Sequence, residues 1–333
     1  MNSPAAMPHA PLRGASARVE SARRLERSNA VFRRVTFGAA VLVLVLFIGM
    51  FAVLFEGAWP ALHQFGFSFF ATAAWNPVTN KFGILAAIYG TLITSALAML
   101  IAMPVGIGIA VFLTEFCPRP LRRPIGISIE LLAGIPSIIY GVWGFFVFAP
   151  FFQHTAQPFI IDIFGDTPLL SQLFAGPPYG IGIFTASLIL SIMILPLMAA
   201  VARDVFETVP PFLREASFGL GCTTQETVWN VVIPYARPGI FGGAMLALGR
   251  ALGETMAVTF VIGNAHRIKA SIFAPGTTIS ASIANEFTEA VGDLYKSSLL
   301  ASGFFLLFIT FVVLALAQFM LHRLEKRAGS MRV

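Results

Sequence analysis

The feature that most constrains this chain is a series of long segments without charged residues. No Asp, Glu, Lys or Arg occurs between Arg34 and Glu56, and none occurs between Lys81 and Glu115. An α-helix needs about 20 mostly apolar residues to cross the hydrocarbon core of a bilayer. These segments therefore predict helices that span a membrane.

The same reading along the whole chain predicts an all-α, polytopic membrane protein with six transmembrane helices. Only 11% of the residues are charged, against about 25% in soluble domains. Prolines inside these runs do not argue against spanning helices, because neighbouring helices can satisfy the freed backbone groups. The six predicted spans are residues 35–55, 86–112, 128–151, 179–202, 238–263 and 297–321.

Two domains are predicted, a basic tail over residues 1–34 and a six-helix membrane domain over residues 35–333. The tail contains seven arginines among Pro, Ser and Ala, a composition that predicts disorder. The apolar run after it is longer than the 7–15 residues of a signal-peptide core. We therefore interpret the first span as an uncleaved anchor.

The positions of the basic residues predict the orientation in the membrane. The tail and the segments 115–124, 203–237 and 322–333 hold seven, three, three and four lysines and arginines, whereas the other three loops hold four together. Basic residues accumulate in cytoplasmic loops. Both termini are therefore expected in the cytoplasm, and the net charge of +6 is explained without nucleic acid.

The cytoplasmic segment 203–237 has the sequence pattern of two short helices joined by a glycine. A helix over residues 211–221 is expected to start with Thr208 as its cap and to end at Gly221, a residue type favoured in the left-handed position after a helix. Thr223 and Glu226 have the spacing of a capping box, which predicts the start of a second helix.

Two prolines, Pro234 and Pro238, then predict a turn into the fifth span, which we expect to begin at Pro238. Considered alone, the segment has two interpretations. It could be an amphipathic connector that lies on the lipid surface, or a lever that contacts another subunit.

The fifth predicted span contains two charged residues, Arg250 and Glu254. A charge at the bilayer centre is costly and usually faces a bundle interior or a wet path. On a continuous helix the two side chains would share one face. They could form a structural ion pair, or Arg250 could bind an anion through its planar guanidinium while Glu254 orients it. Gly249 and Gly253 favour close helix packing.

The segment 203–237 resembles the EAA motif of ABC-importer permeases. That motif has Glu-Ala-Ala, three residues, Gly, nine residues and then Ile-x-Leu-Pro; here Ser, Val and Ile replace one Ala, the Ile and the Leu. The resemblance implies a type I ABC importer permease fold, in which this segment docks on an ATPase subunit. The residues that carry the implied coupling role are Glu215, Ala216, Ser217, Gly221 and Pro234.

Two further stretches resemble phosphate ABC-importer permeases. Residues 249–258 read GRALGETMAV, and residues 130–137 read ELLAGIPS and continue to Tyr140 and Gly141. With the long first outer loop, 56–81, they resemble the PstC type of subunit. The resemblance implies that Arg250 and Glu254 serve phosphate movement, with Ser137 and Thr255 along the same path. Glu130, near the inner end of the third span, is expected to extend to water. The Gly-Ile-Pro-Ser step at residues 134–137 is expected to distort the third span and to expose backbone to the path.

The resemblance also implies the partners and the location. They are a second permease subunit of the PstA type, two ATPase subunits, an extracytoplasmic phosphate-binding protein, phosphate and membrane lipid, in a bacterial inner membrane. The sequence contains no Gly-x-x-x-x-Gly-Lys-[Ser/Thr] loop, so ATP hydrolysis is expected on the separate subunits. No cofactor or metal is expected.

Two other functions stay open at this point. The first is an importer for another small oxyanion such as molybdate or sulfate. The second is an ATP-independent anion carrier or channel, whose cytoplasmic segment would be only a surface helix.

Overall fold

The fold was analysed in a computed structural model that describes residues 13–164, 167 and 170–330, with side chains described from residue 29 to residue 323. Within these residues the secondary structure is helical, apart from one isolated bridge between Asn76 and Lys81. The helices are α1 (Arg13–Phe65), α2 (Ser68–Ala71), α3 (Leu85–Val111), α4 (Arg119–Ala133), α5 (Ser137–Trp143), α6 (Ala149–Phe151), α7 (Gln157–Phe164), α8 (Leu170–Leu173), α9 (Ile183–Glu207), α10 (Pro211–Gly219), α11 (Thr224–Thr227), α12 (Ile233–Leu252), α13 (Met256–Val261), α14 (Ile279–Glu286) and α15 (Asp293–Ser330).

The chain divides into two compact units, residues 1–56 and residues 57–333. In the first unit α1 already begins at Arg13, so residues 13–34 are helical although their composition predicts disorder. Alanine, arginine and glutamate in this stretch are good helix formers, which accounts for the difference. Residues 1–12 of the predicted tail lie outside the described residues. From Asn29 to Phe55 the side chains are exposed except for half-buried Leu54, as expected for a lipid-facing helix.

The described residues contain five helices that are long and apolar enough to cross a membrane, and a bent pair brings the number to six if it counts as one span. The predicted all-α polytopic fold is confirmed. The first, second, fourth and sixth predicted spans fall on Asn29–Phe65, Leu85–Phe116, Ile183–Glu207 and Asp293–Arg323.

The third predicted span is not one continuous helix, and its break falls at the step over residues 134–137 where a distortion is expected. The chain bends by 86° between Arg119–Ala133 and Ser137–Phe164. Pro136 causes the break, because proline has no amide hydrogen and disfavours helical geometry in the residue before it. Glu130 therefore lies on α4, which precedes the break.

The fifth predicted span is also wrong in its bounds. Helical structure begins at Thr224, passes through a π-helical turn over Val228–Val232, continues as α12 through Pro238 and ends at Leu252. The chain stays helical at Pro234 and Pro238. Pro234 has no amide hydrogen to donate to a carbonyl group in the preceding turn, and the π-helical turn lies at that place. A break at residues 253–255 separates α12 from α13.

Small residues allow α3 and α9 to pack closely in the second unit. Ala98, Ala102 and Ala186 are fully buried, and a Cβ atom on Gly106 would lie 2.9 Å from Cγ of Met198. Where such residues let backbones approach, dispersion contacts and not a hydrophobic driving force hold membrane helices together.

The segment between α13 and α14 folds back into this bundle. A Cβ atom on Gly90 of α3 would lie 1.8 Å from the carbonyl oxygen of Thr277, so only glycine fits there. The amide of Ile279 donates to Oγ1 of Thr91 at 3.0 Å. Residues 271–278 of this segment are therefore part of the packed core, whereas residues 267–270 are exposed.

Candidate functional site

Two broken helices pack against each other and bring their breaks together. Gly141 on α5 makes this possible, since a Cβ atom there would lie 3.0 Å from Cα of Ala257 and 2.8 Å from Cδ2 of Phe260 on α13. The break at residues 134–136 precedes α5, and the break at residues 253–255 precedes α13. Interrupted helices inside a membrane usually line a cavity or a path, where the freed backbone groups meet water or ligand.

Arg250 lies in the last turn of α12, next to its break, and its side chain is exposed. Glu254 has a different surrounding: its Oε1 accepts a hydrogen bond from the amide of Ala257 at 3.2 Å, and its carbonyl oxygen accepts one from Ser280 at 2.8 Å. The salt bridges among the described side chains do not include a pair between Arg250 and Glu254. The predicted shared helical face is wrong, because the helix ends between them.

Tyr140 joins this group from α5. Its hydroxyl donates to the carbonyl oxygen of Leu132 at 2.9 Å, across the break. Ser137 is the first residue of α5 and Thr255 directly precedes α13, and both are half-buried. The structure thus brings the predicted path residues to the two breaks.

Sequence reasoning assigned no role to Tyr140 or Ser280. Tyr140 belongs to the stretch quoted above, so the signal for it was present in the sequence. Ser280 carried no such signal, because its contact with Glu254 depends on the folding of a distant segment.

The two short helices of the segment 203–237 form as predicted, with one exception. Gly221 has φ +86°, the left-handed conformation expected after α10, and Thr223 and Glu226 make both hydrogen bonds of the capping box. Thr208 does not cap α10, because its hydroxyl donates to the carbonyl oxygen of Val205. A buried hydrogen bond of 2.9 Å between the hydroxyls of Ser217 and Thr227 links α10 to α11.

The surface of α10 is apolar to an unusual degree for a loop helix. Phe212, Phe218 and Leu220 have 64%, 45% and 86% of their surface exposed. Glu215 and Ala216 are exposed beside them, whereas Pro234 is half-buried at the start of α12. An exposed apolar patch with a charged rim is typical of a protein contact site.

Two ion pairs anchor the region near α10. Nη2 of Arg214 lies 3.1 Å from Oε1 of Glu115, and Nη2 of Arg203 lies 2.7 Å from Oε1 of Glu130. The Glu130 side chain is 50% exposed, in agreement with the predicted extension to water. Glu115 was missed in the sequence, although a lone carboxylate at the end of a long uncharged run is a recognisable signal.

A separate polar cluster surrounds Glu286 at the end of α14. Its carboxylate accepts hydrogen bonds from Tyr295 at 2.7 Å, from Nε2 of His266 at 3.0 Å and from Nε1 of Trp75. The ring of Trp75 stacks on that of His266. Burial acts to raise the pKa of the Glu286 carboxyl, but the three hydrogen bonds outweigh it and hold the pKa below its ordinary value of 4.5.

The fold and this site together define a class of protein. The long apolar helices are those of a multi-pass membrane protein. Two of them are broken at one place beside an exposed arginine, as in membrane permeases whose broken helices line a path. Comparison with known proteins narrows the class.

Residues 102–330 match the family described as "Binding-protein-dependent transport system inner membrane component". The phosphate transport system permease protein PstC of Mesorhizobium japonicum is 64% identical over 315 residues, which cover 95% of this chain and 96% of that protein. The PstC protein of Pasteurella multocida is 53% identical and covers 90% of this chain and 93% of that protein. The chain therefore belongs to the inner membrane components of binding-protein-dependent transport systems and, among them, to the PstC-type permeases.

The fold agrees with solved transporters at low sequence identity. A chain from the crystal structure of a bacterial alginate ABC transporter, in complex with an alginate-bound periplasmic protein, is 19% identical with a TM-score of 0.58. That match covers 91% of this chain and 97% of that one. The fold is that of a type I ABC importer permease.

Proposed function

We propose that this chain is the PstC-type permease subunit of an ATP-driven importer of inorganic phosphate. The relatives named above are phosphate transport permeases and are similar over more than nine-tenths of their length. A second permease subunit of the PstA type would complete the translocation path, and the binding protein would deliver phosphate at the outer face.

The observation that carries the proposal is the position of Arg250. Its guanidinium is exposed on the subunit surface at the point where two broken helices meet. A guanidinium presents a planar fork that is always protonated and matches two oxygens of a phosphate. Tyr140, Ser137 and Thr255 add hydroxyl groups at the same breaks, and Glu254 holds the start of α13 through the Ala257 amide.

The distribution of the basic residues supports an orientation with both termini and the segment 203–237 in the cytoplasm. We propose that Glu215, Ala216, Ser217, Gly221 and Pro234 belong to the element that couples to two ATPase subunits. The exposed apolar residues of α10 would enter the contact, and the Ser217–Thr227 hydrogen bond would make α10 and α11 move together.

Uptake of radiolabelled phosphate tests the proposal. The transporter is expressed in cells that lack every other phosphate importer, and unlabelled phosphate, sulfate and molybdate compete in separate assays. Phosphate should compete at the lowest concentration. If sulfate or molybdate competes better, the cargo is wrong; if uptake persists with an ATPase subunit that cannot hydrolyse ATP, the coupling is wrong.

A further inference from the structure

A cavity of about 330 Å³ lies between α4 and the C-terminal end of α9, away from the two helix breaks. Four arginines and two glutamates line it with one isoleucine. The lining residues are Arg119, Arg122, Arg123, Ile127, Glu130, Arg203 and Glu207.

Both glutamates of this cavity are engaged by a single arginine. Nη2 of Arg203 lies 2.7 Å from Glu130 and 3.0 Å from Asp204, and its Nε lies 3.9 Å from Glu207. Arg203 is thus neutralised by carboxylates of the protein itself. Three carboxylates thus face one arginine, and with the other three arginines the group holds four positive and three negative charges. None of those three arginines forms an ion pair among the described side chains.

Those three arginines have donors to spare. Nη2 of Arg122 donates to the carbonyl oxygen of Thr114 at 2.6 Å, but its Nε is buried without a hydrogen-bond partner among the described residues. Arg119 and Arg123 are exposed, and no ion pair or hydrogen bond of theirs is found in the described part of the chain. They lie one helical turn apart on α4, so both face the cavity. A buried donor without an acceptor, such as Nε of Arg122, is rare. The donors of Arg119 and Arg123 are exposed, lack a partner among the described residues and can bind an anion.

The opposite face of α4 indicates where such an anion comes from. Leu121, Leu131 and Leu132 are 52%, 70% and 47% exposed. Because α4 makes an angle of 86° with the helix after the break, it lies nearly in the membrane plane when that helix crosses the bilayer. A helix with a basic face and an apolar face in this position lies at the level of the lipid headgroups.

We propose that this cavity binds the phosphate group of an anionic phospholipid headgroup. Three arginines would contact the phosphate oxygens, and the exposed leucines of α4 would contact the acyl chains. Basic pockets between membrane helices on the cytoplasmic side are suited to such headgroups. Free inorganic phosphate could make the same contacts with the arginines, and the experiment below distinguishes it from a lipid headgroup. The inference uses the cytoplasmic orientation proposed above but not the identity of the cargo.

Binding to the purified transporter complex in detergent tests the proposal, without the binding protein and without transport. The probes are a short-chain phosphatidylglycerol, a short-chain phosphatidylcholine and inorganic phosphate. The variant is Arg119→Gln with Arg123→Gln. The matched control is Arg237→Gln. Arg237 is exposed and does not line the cavity.

An arginine near an anionic headgroup changes affinity about fivefold. Phosphatidylglycerol should therefore bind the double variant on the order of 20-fold more weakly than the wild type, while Arg237→Gln binds normally. The same loss for inorganic phosphate alone would assign the cavity to free phosphate. The proposal is overturned if the wild type and both variants bind phosphatidylglycerol equally and also bind inorganic phosphate equally.

Hydrogen exchange of the wild-type complex keeps the proposal falsifiable if the double variant does not assemble. Vesicles that contain phosphatidylglycerol should slow exchange in residues 119–133 relative to vesicles of phosphatidylcholine only. Unchanged exchange with these vesicles and with added phosphate would overturn the site. A failure of phosphate uptake in the assay above leaves both readouts intact, so the two proposals fail separately.

Discussion

Arg214 of α10 forms an ion pair with Glu115, with 3.1 Å between Nη2 and Oε1, and the glutamate side chain is only 8% exposed. Glu115 directly follows the uncharged run of the second span. Arg214 also donates to the carbonyl oxygens of Phe206 and Val209. One guanidinium thus ties the short helix α10 to the ends of two spanning helices. We propose that a displacement of α10 is transmitted to both.

The first prediction concerns this pair. Replacing Glu115 by Gln leaves the charge of Arg214 largely buried and should destabilise the subunit by on the order of 3 kcal/mol. Glu115→Gln with Arg214→Gln should recover part of that stability but not phosphate uptake, because the link is lost. The measurements are thermal unfolding of the complex and uptake, with exposed Glu289→Gln as control. Normal uptake by the double variant would contradict the proposed transmission.

The second prediction concerns Gly221, which has φ +86° and open space around it, since no atom lies within 4 Å of the position that a Cβ would take. Space is therefore not limiting, and the cost of a substitution is backbone strain, about 1–2 kcal/mol for a branched residue. Gly221→Val should reduce uptake strongly while the subunit still inserts. Gly221→Asn should keep most uptake, because asparagine tolerates this conformation. Equal uptake by both variants would refute the importance of the turn.

The third prediction concerns Arg250. Arg250→Lys should abolish phosphate uptake although the charge is kept, because an ammonium cannot make the two-pronged contact. Arg250→Leu with Glu254→Leu should also assemble with the ATPase and move no phosphate. A pull-down of the ATPase accompanies the radiolabel assay. Substantial uptake by either variant would remove Arg250 from the path.

The fourth prediction concerns pH and Glu286. Because its pKa is lower in the folded state than in the unfolded chain, the carboxylate stabilises the fold above its ordinary value of 4.5. That contribution is lost as the pH falls through the lower, folded-state pKa. Glu286→Gln should lower the free energy of unfolding by about 2 kcal/mol at neutral pH. Its melting temperature should depend less on pH in the acid range than that of the wild type. If the melting temperatures of Glu286→Gln and the wild type fall by the same amount from pH 7 to pH 3, this assignment is contradicted.

The sequence was most informative where a local pattern decides the structure. The uncharged runs predicted the membrane spans, and the capping box and Gly221 predicted the joint between α10 and α11, because each depends on residues that are neighbours along the chain. Thr208 shows the limit of such rules, since its hydroxyl bonds its own helix and not the next one.

The Gly-Ile-Pro-Ser step predicted a distortion in the third span, but the break in the fifth span could not be located in the same way. Pro136 ends a helix, yet Pro196 and Pro238 lie inside continuous ones, so a proline alone does not predict a break. Whether a helix breaks at a given residue depends here on contacts with parts of the chain that are distant in sequence. Glu254 is held by Ser280, 26 residues away, and Gly141 permits contact with α13. Neither relationship is visible to a local pattern.

The close approach of Gly90 to Thr277 has a mechanical consequence for the transport cycle. The carbonyl oxygen of Thr277 occupies the space that a side chain at residue 90 would need, so α3 and the segment before α14 are in direct backbone contact. We expect these two parts to move as one unit during the transport cycle. We therefore expect changes of shape to occur at the two helix breaks, near Arg250.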